Sequence, residues 1–229
     1  MHIELPHYYC HKTNNVPVID GNTGNNAWDK AEPITAFHKL RINAEVALIK
    51  PVFNTICKLI WDDNYLYVIF DCKSNDVWAT KIDRDGELWT EPVVELFIDQ
   101  SGNGKSFFEF QVNPIGTIYD SYVADAKLGE DWPRWSKWNC KGLKVATHID
   151  GRLNERSYKD NGWSAKIAIP FKSLIEQTGI THKTGDTWRI NLCRYEIPAE
   201  IEKPELSCWA PTLRLFDDLS NFGYLHFAD

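Results

Sequence analysis

Glu95 sits inside the apolar run Val93-Val94-Glu95-Leu96-Phe97-Ile98-Asp99. A carboxylate placed there must be paired or hydrated, because its unpartnered burial is costly. Glu109, Gln111 and Asn113 follow on the next strand-like stretch, each two positions from the last. Residues two apart share one face of a strand. Trp89 lies just before the run that carries Glu95. A flat aromatic ring packs on the C–H face of a sugar, and Glu, Gln and Asn satisfy hydroxyls around its edge. This combination suits a neutral polyol. Two facing carboxylates are also what glycoside hydrolysis needs, and Glu95 with Glu109 on neighbouring strands offers that second reading.

Other chemistries lack their patterns. There is no Gly-x-Ser-x-Gly elbow, no His-Glu-x-x-His and no phosphate-cradling glycine motif. Gln100 to Lys105 contains glycines in a turn between two strands. The 7 histidines are dispersed. The 6 cysteines form no Cys-x-x-Cys pair, which removes zinc-ribbon and thioredoxin readings. Cys57, Cys72 and Cys193 fall within apolar strand patterns, so mostly free, buried thiols are expected, with room for one bridge.

Composition narrows the classes further. The 229 residues carry 25 basic and 32 acidic side chains, a net charge of −7. That balance argues against non-specific binding to nucleic acid, which needs a basic face. Hydrophobic residues make up 43 % and charged residues 25 %, as in globular proteins. Apolar runs such as Tyr65 to Phe70 fall far short of the roughly 20 residues that span a bilayer. No signal-peptide pattern opens the chain. There are 10 Trp, 9 Tyr and 11 Phe, enough for an aromatic core and for exposed stacking rings. Trp28, Trp61, Trp163 and Trp188 read as core.

Strand signals must position these residues. Thr55–Trp61 and Tyr65–Phe70 flank the turn Asp62-Asp63-Asn64 and read as a hairpin. Val93–Asp99, Ser106–Asn113, Thr117–Val123, Leu143–Ile149, Gly162–Ile169, Trp188–Tyr195 and Gly223–Phe227 read as further strands. Many short strands with turn signals between them predict an all-β, antiparallel β-sandwich of jelly-roll or immunoglobulin-like kind. At most one short helix is expected, near residues 171–177. A single domain covering 1–229 is the economical organisation, with residues 1–15 as an N-terminal arm packed on the sandwich. Asp125 to Asn139 is a long aperiodic stretch holding Trp132, Trp135 and Trp138, and such loops are often functional.

The same blocks resemble the family 9 carbohydrate-binding modules and their DOMON-like β-sandwich relatives. They are Pro17-Val18-Ile19-Asp20-Gly21 with Trp28, Leu59 to Val68, Leu88 to Asp99, Phe108 to Gly116, Trp163 to Phe171, and Asn221 to Leu225, in family order. The resemblance implies a non-catalytic module in which two aromatics clamp a sugar and polar groups bind its hydroxyls. It places the first clamp at Trp89 and the second at Phe216, with Glu95, Gln111 and Asn113 as polar contacts. From its place in the aperiodic stretch, the loop of Trp132 and Trp135 either lies over the site as a lid or packs on the sandwich edge. Gln111 stands where relatives carry arginine, Phe216 where tryptophan is expected, and Pro92 where aspartate is usual. The ligand implied is a mono-, oligo- or polysaccharide such as xylan or cellulose. The resemblance further implies an extracellular or periplasmic location, and structural calcium held by loop carboxylates and carbonyls. Two alternatives follow from the wider relatives and from the acids: a haem-binding electron-transfer domain, for which Met1 is the only methionine, and a polysaccharide hydrolase.

Overall fold

The computed structural model describes residues 4–24, 26–41, 43, 47–126, 137–198 and 203–229. Among them are twelve strands. These are β1 (His7–Lys12), β2 (His38–Lys39), β3 (Thr55–Trp61), β4 (Tyr65–Lys73), β5 (Val93–Asp99), β6 (Phe107–Val112), β7 (Ile118–Val123), β8 (Lys144–Asp150), β9 (Gly162–Pro170), β10 (Thr187–Glu196), β11 (Glu205–Cys208) and β12 (Gly223–Ala228). One α-helix, α1 (Phe171–Thr178), follows β9 directly. It starts after Pro170, whose extended φ,ψ suits the position before a helix. It ends at Gly179 in the left-handed region, where the Gly179 N–H closes onto the Ile175 carbonyl at 2.7 Å. No helix among the described residues is long and apolar enough to cross a membrane.

The strands run in the order β7-β6-β5-β10-β12-β1-β3-β4-β9-β8, and β11 pairs with β10 and with β2. The path curls so that its halves face each other. Val94, Leu96, Ile98, Phe108, Phe110, Ile190 and Leu192 from one half meet Leu59, Leu66, Val68, Phe70, Trp163, Ala165 and Ile167 from the other in one core. The expected all-β sandwich is therefore present, as are the hairpin and the single short helix. All four tryptophans assigned to the core are 2 % exposed.

One feature adds to expectation: the N-terminal segment contributes a strand. His7–Lys12 form β1, inserted between β12 and β3 and parallel to both. The other ladders are antiparallel. β1 buries Tyr8 and Cys10 in the core while Tyr9 is exposed, an alternation of period two. The cysteines are all buried and free, as their apolar settings suggest.

Gly162 shows how tightly the β4–β9 ladder closes. Its φ is +142°, and a Cβ built there would lie 2.1 Å from the Cys72 carbonyl oxygen. That neighbour is backbone, so it cannot swing aside. Gly162→Ala is expected to lose about 3 kcal/mol or more. A urea midpoint unchanged from the parent would contradict it.

Candidate functional site

The strand period sorts β5, β6 and β10 into two faces. Even-numbered residues of β5 enter the core, and odd-numbered ones, Glu95 and Phe97, point outward. Register then aligns the outward residues across strands. Glu95 pairs with Gln111 of β6 and with Cys193 of β10, and Gln111 pairs with Tyr119 of β7. Glu109 and Tyr195 share this outer face. The segment 213–219 folds back over it, with Phe216 and Leu219 packed on Phe97, Cys193 and Cys208. Asp218 organises that segment, accepting from Leu213 N at 3.3 Å and from Asn221 Nδ2 at 2.6 Å.

Between this segment and the strands lies a cleft of about 310 Å³, near the lower end of small-ligand pockets. Trp89, Tyr119, Tyr195 and Phe216 supply its aromatic lining, and Glu95, Glu109, Gln111, Arg214 and Asp217 its polar lining. Trp89 meets Tyr119 edge-on at 6.1 Å, and Phe216 meets Tyr195 edge-on at 5.2 Å. Edge-on packing fixes ring positions without covering both faces.

One polar atom of the lining lacks a partner. Gln111 is 2 % exposed. Its Nε2 donates to Glu109 Oε1 at 2.7 Å, and its Oε1 is buried with no partner. An unsatisfied buried acceptor costs about 1–3 kcal/mol, which a ligand hydroxyl can relieve. Burial, then the nearby Glu109 and Asp217, push the Glu95 carboxyl well above the usual range. Burial thus favours the protonated form of Glu95, a form that offers both a donor and an acceptor. Burial likewise raises Glu109 to about 7, with Asp217 adding to the rise and the Gln111 bond opposing it.

Trp89, Glu95, Gln111 and Phe216 are thus brought together. Phe216 is 6 % exposed, so it offers an edge of the wall more than an open stacking face. Asn113 is not in the cleft. It is fully buried behind it, donating to Lys81 O at 2.9 Å and to Glu91 Oε1 at 2.7 Å, and accepting from Thr117 N at 2.8 Å. Glu91 also accepts from the Thr80 amide at 2.8 Å. This bracket holds the turn Leu88–Thr90 that carries Trp89, so Asn113 is a positioning residue. Trp132 and Trp135 lie outside the described residues. Trp138 packs on Phe108 and Phe110 at the core.

Tyr119, Tyr195, Arg214 and Asp217 were not singled out by the sequence reading. For the two tyrosines a usable signal existed, since each falls on the outer face of a legible strand. Arg214 and Asp217 sit in an irregular segment with no period to read. Among the described residues no group of three or more His, Cys, Asp or Glu side chains could hold a metal ion.

Comparison with known proteins gives this cleft a context. The endo-1,4-beta-xylanase A of Thermoanaerobacterium saccharolyticum is 27 % identical over 164 residues, covering 71 % of this chain and 12 % of that protein. Exoglucanase XynX of Acetivibrio thermocellus is 24 % identical over 210 residues, 91 % of this chain and 16 % of that protein. The chain thus spans under a fifth of either. A carbohydrate-binding module of family 9 from Caldicellulosiruptor kristjanssonii, solved with cellotriose, superposes with a TM-score of 0.62 at 15 % identity, over 97 % of this chain and 93 % of that one. The glucose complex gives 0.61 at 16 % identity, over 96 % and 95 %. The family described as carbohydrate family 9 binding domain-like matches residues 19–226, nearly the whole sandwich, and the chain belongs to that family of non-catalytic binding modules.

Proposed function

We propose that this chain binds a small neutral carbohydrate, or the end of a polysaccharide, in the cleft over β5, β6 and β10. The observation that carries the reading is the buried, unpartnered Oε1 of Gln111 in a cleft ringed by Trp89, Tyr119 and Tyr195. A sugar hydroxyl donates to Gln111, the protonated Glu95 donates to a second hydroxyl, and the ring stacks on Trp89. The cellotriose and glucose held by the structural relatives support this ligand class. The xylanase and exoglucanase relatives support a plant polysaccharide as its source, met outside the cell or in the periplasm. Glu95 and Glu109 then serve recognition and not hydrolysis.

Calorimetric titration with glucose, xylose, cellotriose and xylotriose, with and without calcium, tests the proposal. Affinities in the micromolar to millimolar range are expected, about −4 to −8 kcal/mol. Trp89→Ala should weaken binding roughly tenfold to a hundredfold, the loss of a stacked aromatic anchor. A folded Trp89→Ala protein that binds as tightly as the parent would place the site elsewhere.

A further inference from the structure

We propose that Cys193 and Cys208 are a thiol pair built to close into a disulfide across β10 and β11 when the chain meets a disulfide oxidant such as oxidised glutathione. The two residues face each other directly in the antiparallel ladder. The Trp209 N–H donates to the Leu192 carbonyl at 2.9 Å. That bond joins the residue after Cys208 to the residue before Cys193, which makes the cysteines a non-hydrogen-bonded pair. In such pairs the Cα atoms are about 4.5 Å apart and the side chains approach most closely. Disulfides span Cα separations of about 4.4–6.8 Å, so the ladder already holds the geometry a bridge needs.

The side chains agree with the backbone. Both lie in the apolar cluster beneath Phe216 and Phe222. The neighbouring Cys193 thiol holds the Cys208 thiol below its ordinary value, while burial raises that of Cys193. No other cysteines are placed this way. Cys57 faces Phe70, Cys72 faces Thr55 and Cys10 faces Phe227.

The exchange balances as follows. The Cys208 thiolate attacks one sulfur of the oxidant, breaking its S–S bond and releasing one glutathione thiolate. Cys193 gives up its proton and attacks the Cys208 sulfur, forming the protein disulfide and releasing the second. The protein loses two electrons and two protons, and the oxidant is reduced to two thiols. Both cysteines are fully buried, so the exchange takes place while β11 is off the sheet, during folding or local opening. β11 is short, and the strand on its outer edge, β2, has two residues. The bridge would pin to β10 the strand that carries Leu206, a wall of the cleft.

The test refolds the full chain in a series of reduced and oxidised glutathione mixtures, then denatures it in a thiol-alkylating reagent. The expected result is a species with two fewer alkylated thiols, a mass lower by two hydrogens before alkylation, and a peptide linking Cys193 to Cys208. Its melting temperature should exceed that of the reduced protein by about 5–10 °C. Full alkylation of every cysteine across the series would overturn the proposal. So would a bridge that persists in the Cys193→Ala/Cys208→Ala protein. Because the parent's own mass decides the matter, a variant that fails to fold does not obscure it.

Discussion

Glu196→Ala should lower the free energy of unfolding by about 3–5 kcal/mol, the loss typical of breaking one side of a buried ion pair. Arg194 and Glu196 are each 1 % exposed and lie two apart on β10, on the face that enters the sandwich. The Arg194 guanidinium donates to Glu196, to Asn54 O and Thr55 Oγ1 at 3.1 Å, and to Lys73 O at 2.7 Å. Glu196 also accepts from Ser74 Oγ at 2.6 Å. The pair thus ties β10 in one half to the ends of β3 and β4 in the other. Removing the carboxylate leaves a buried cation hydrogen-bonded to backbone carbonyls, with Glu205 acting on it without a hydrogen bond. Replacing both partners by apolar residues, as in Arg194→Met/Glu196→Leu, should restore much of the loss, since no charge is then buried. Urea unfolding followed by tryptophan fluorescence reads both. A single-variant loss below about 1 kcal/mol would mean that water reaches the guanidinium.

The second large effect is on pH. The protein should be more stable near pH 5 than near pH 8. Glu109 rises from an ordinary 4.5 to about 7, and Glu95 is raised well above the usual carboxyl range, both first through burial. A carboxyl with a higher pKa folded than unfolded holds its proton more tightly in the folded state. Its contribution is fully present below about 4.5 and is lost as pH rises through about 7. For Glu109 alone this amounts to something on the order of 3 kcal/mol. Asp120, raised to about 6 by burial, acts in the same direction. Glu95→Gln removes a charge that has to be desolvated, so it should stabilise the protein at pH 8 by about 1–3 kcal/mol and flatten the profile. A stability that climbs steadily from pH 5 to pH 8 would show that these carboxyls are solvated or paired. The cleft's acids therefore work against the fold at alkaline pH.

How far the site could be read depended on how local its signals were. Glu95 stood out because a single acid broke an apolar run. Gln111 followed from the strand period, and the register confirmed it opposite Glu95. Asn113 has the same parity as Gln111, yet it falls one residue past the end of β6, where the chain turns. Parity no longer sets direction there, and its amide turns to the Glu91 carboxylate. Arg194 and Glu196 drew no attention because a charged pair on an alternating strand looks the same whether it meets water or the opposite sheet. β1 was missed as a strand for a related reason. His7-Tyr8-Tyr9-Cys10-His11-Lys12 has a strand-like period, but its partners β12 and β3 lie far along the chain and in parallel, with no turn to announce the pairing.

By itself the sequence determined nine of the twelve strands, the helix between Pro170 and Gly179, and the faces on which Glu95 and Gln111 lie, because alternation, turn residues and caps act over a few neighbouring positions. Only the tertiary structure decided what those faces meet. It brought Trp89, Tyr195 and the 213–217 segment to one cleft, placed Asn113 behind it, and set Cys193 against Cys208. Those contacts join residues that the chain keeps far apart, and they are fixed by how the sheet curls and registers, which no local pattern encodes.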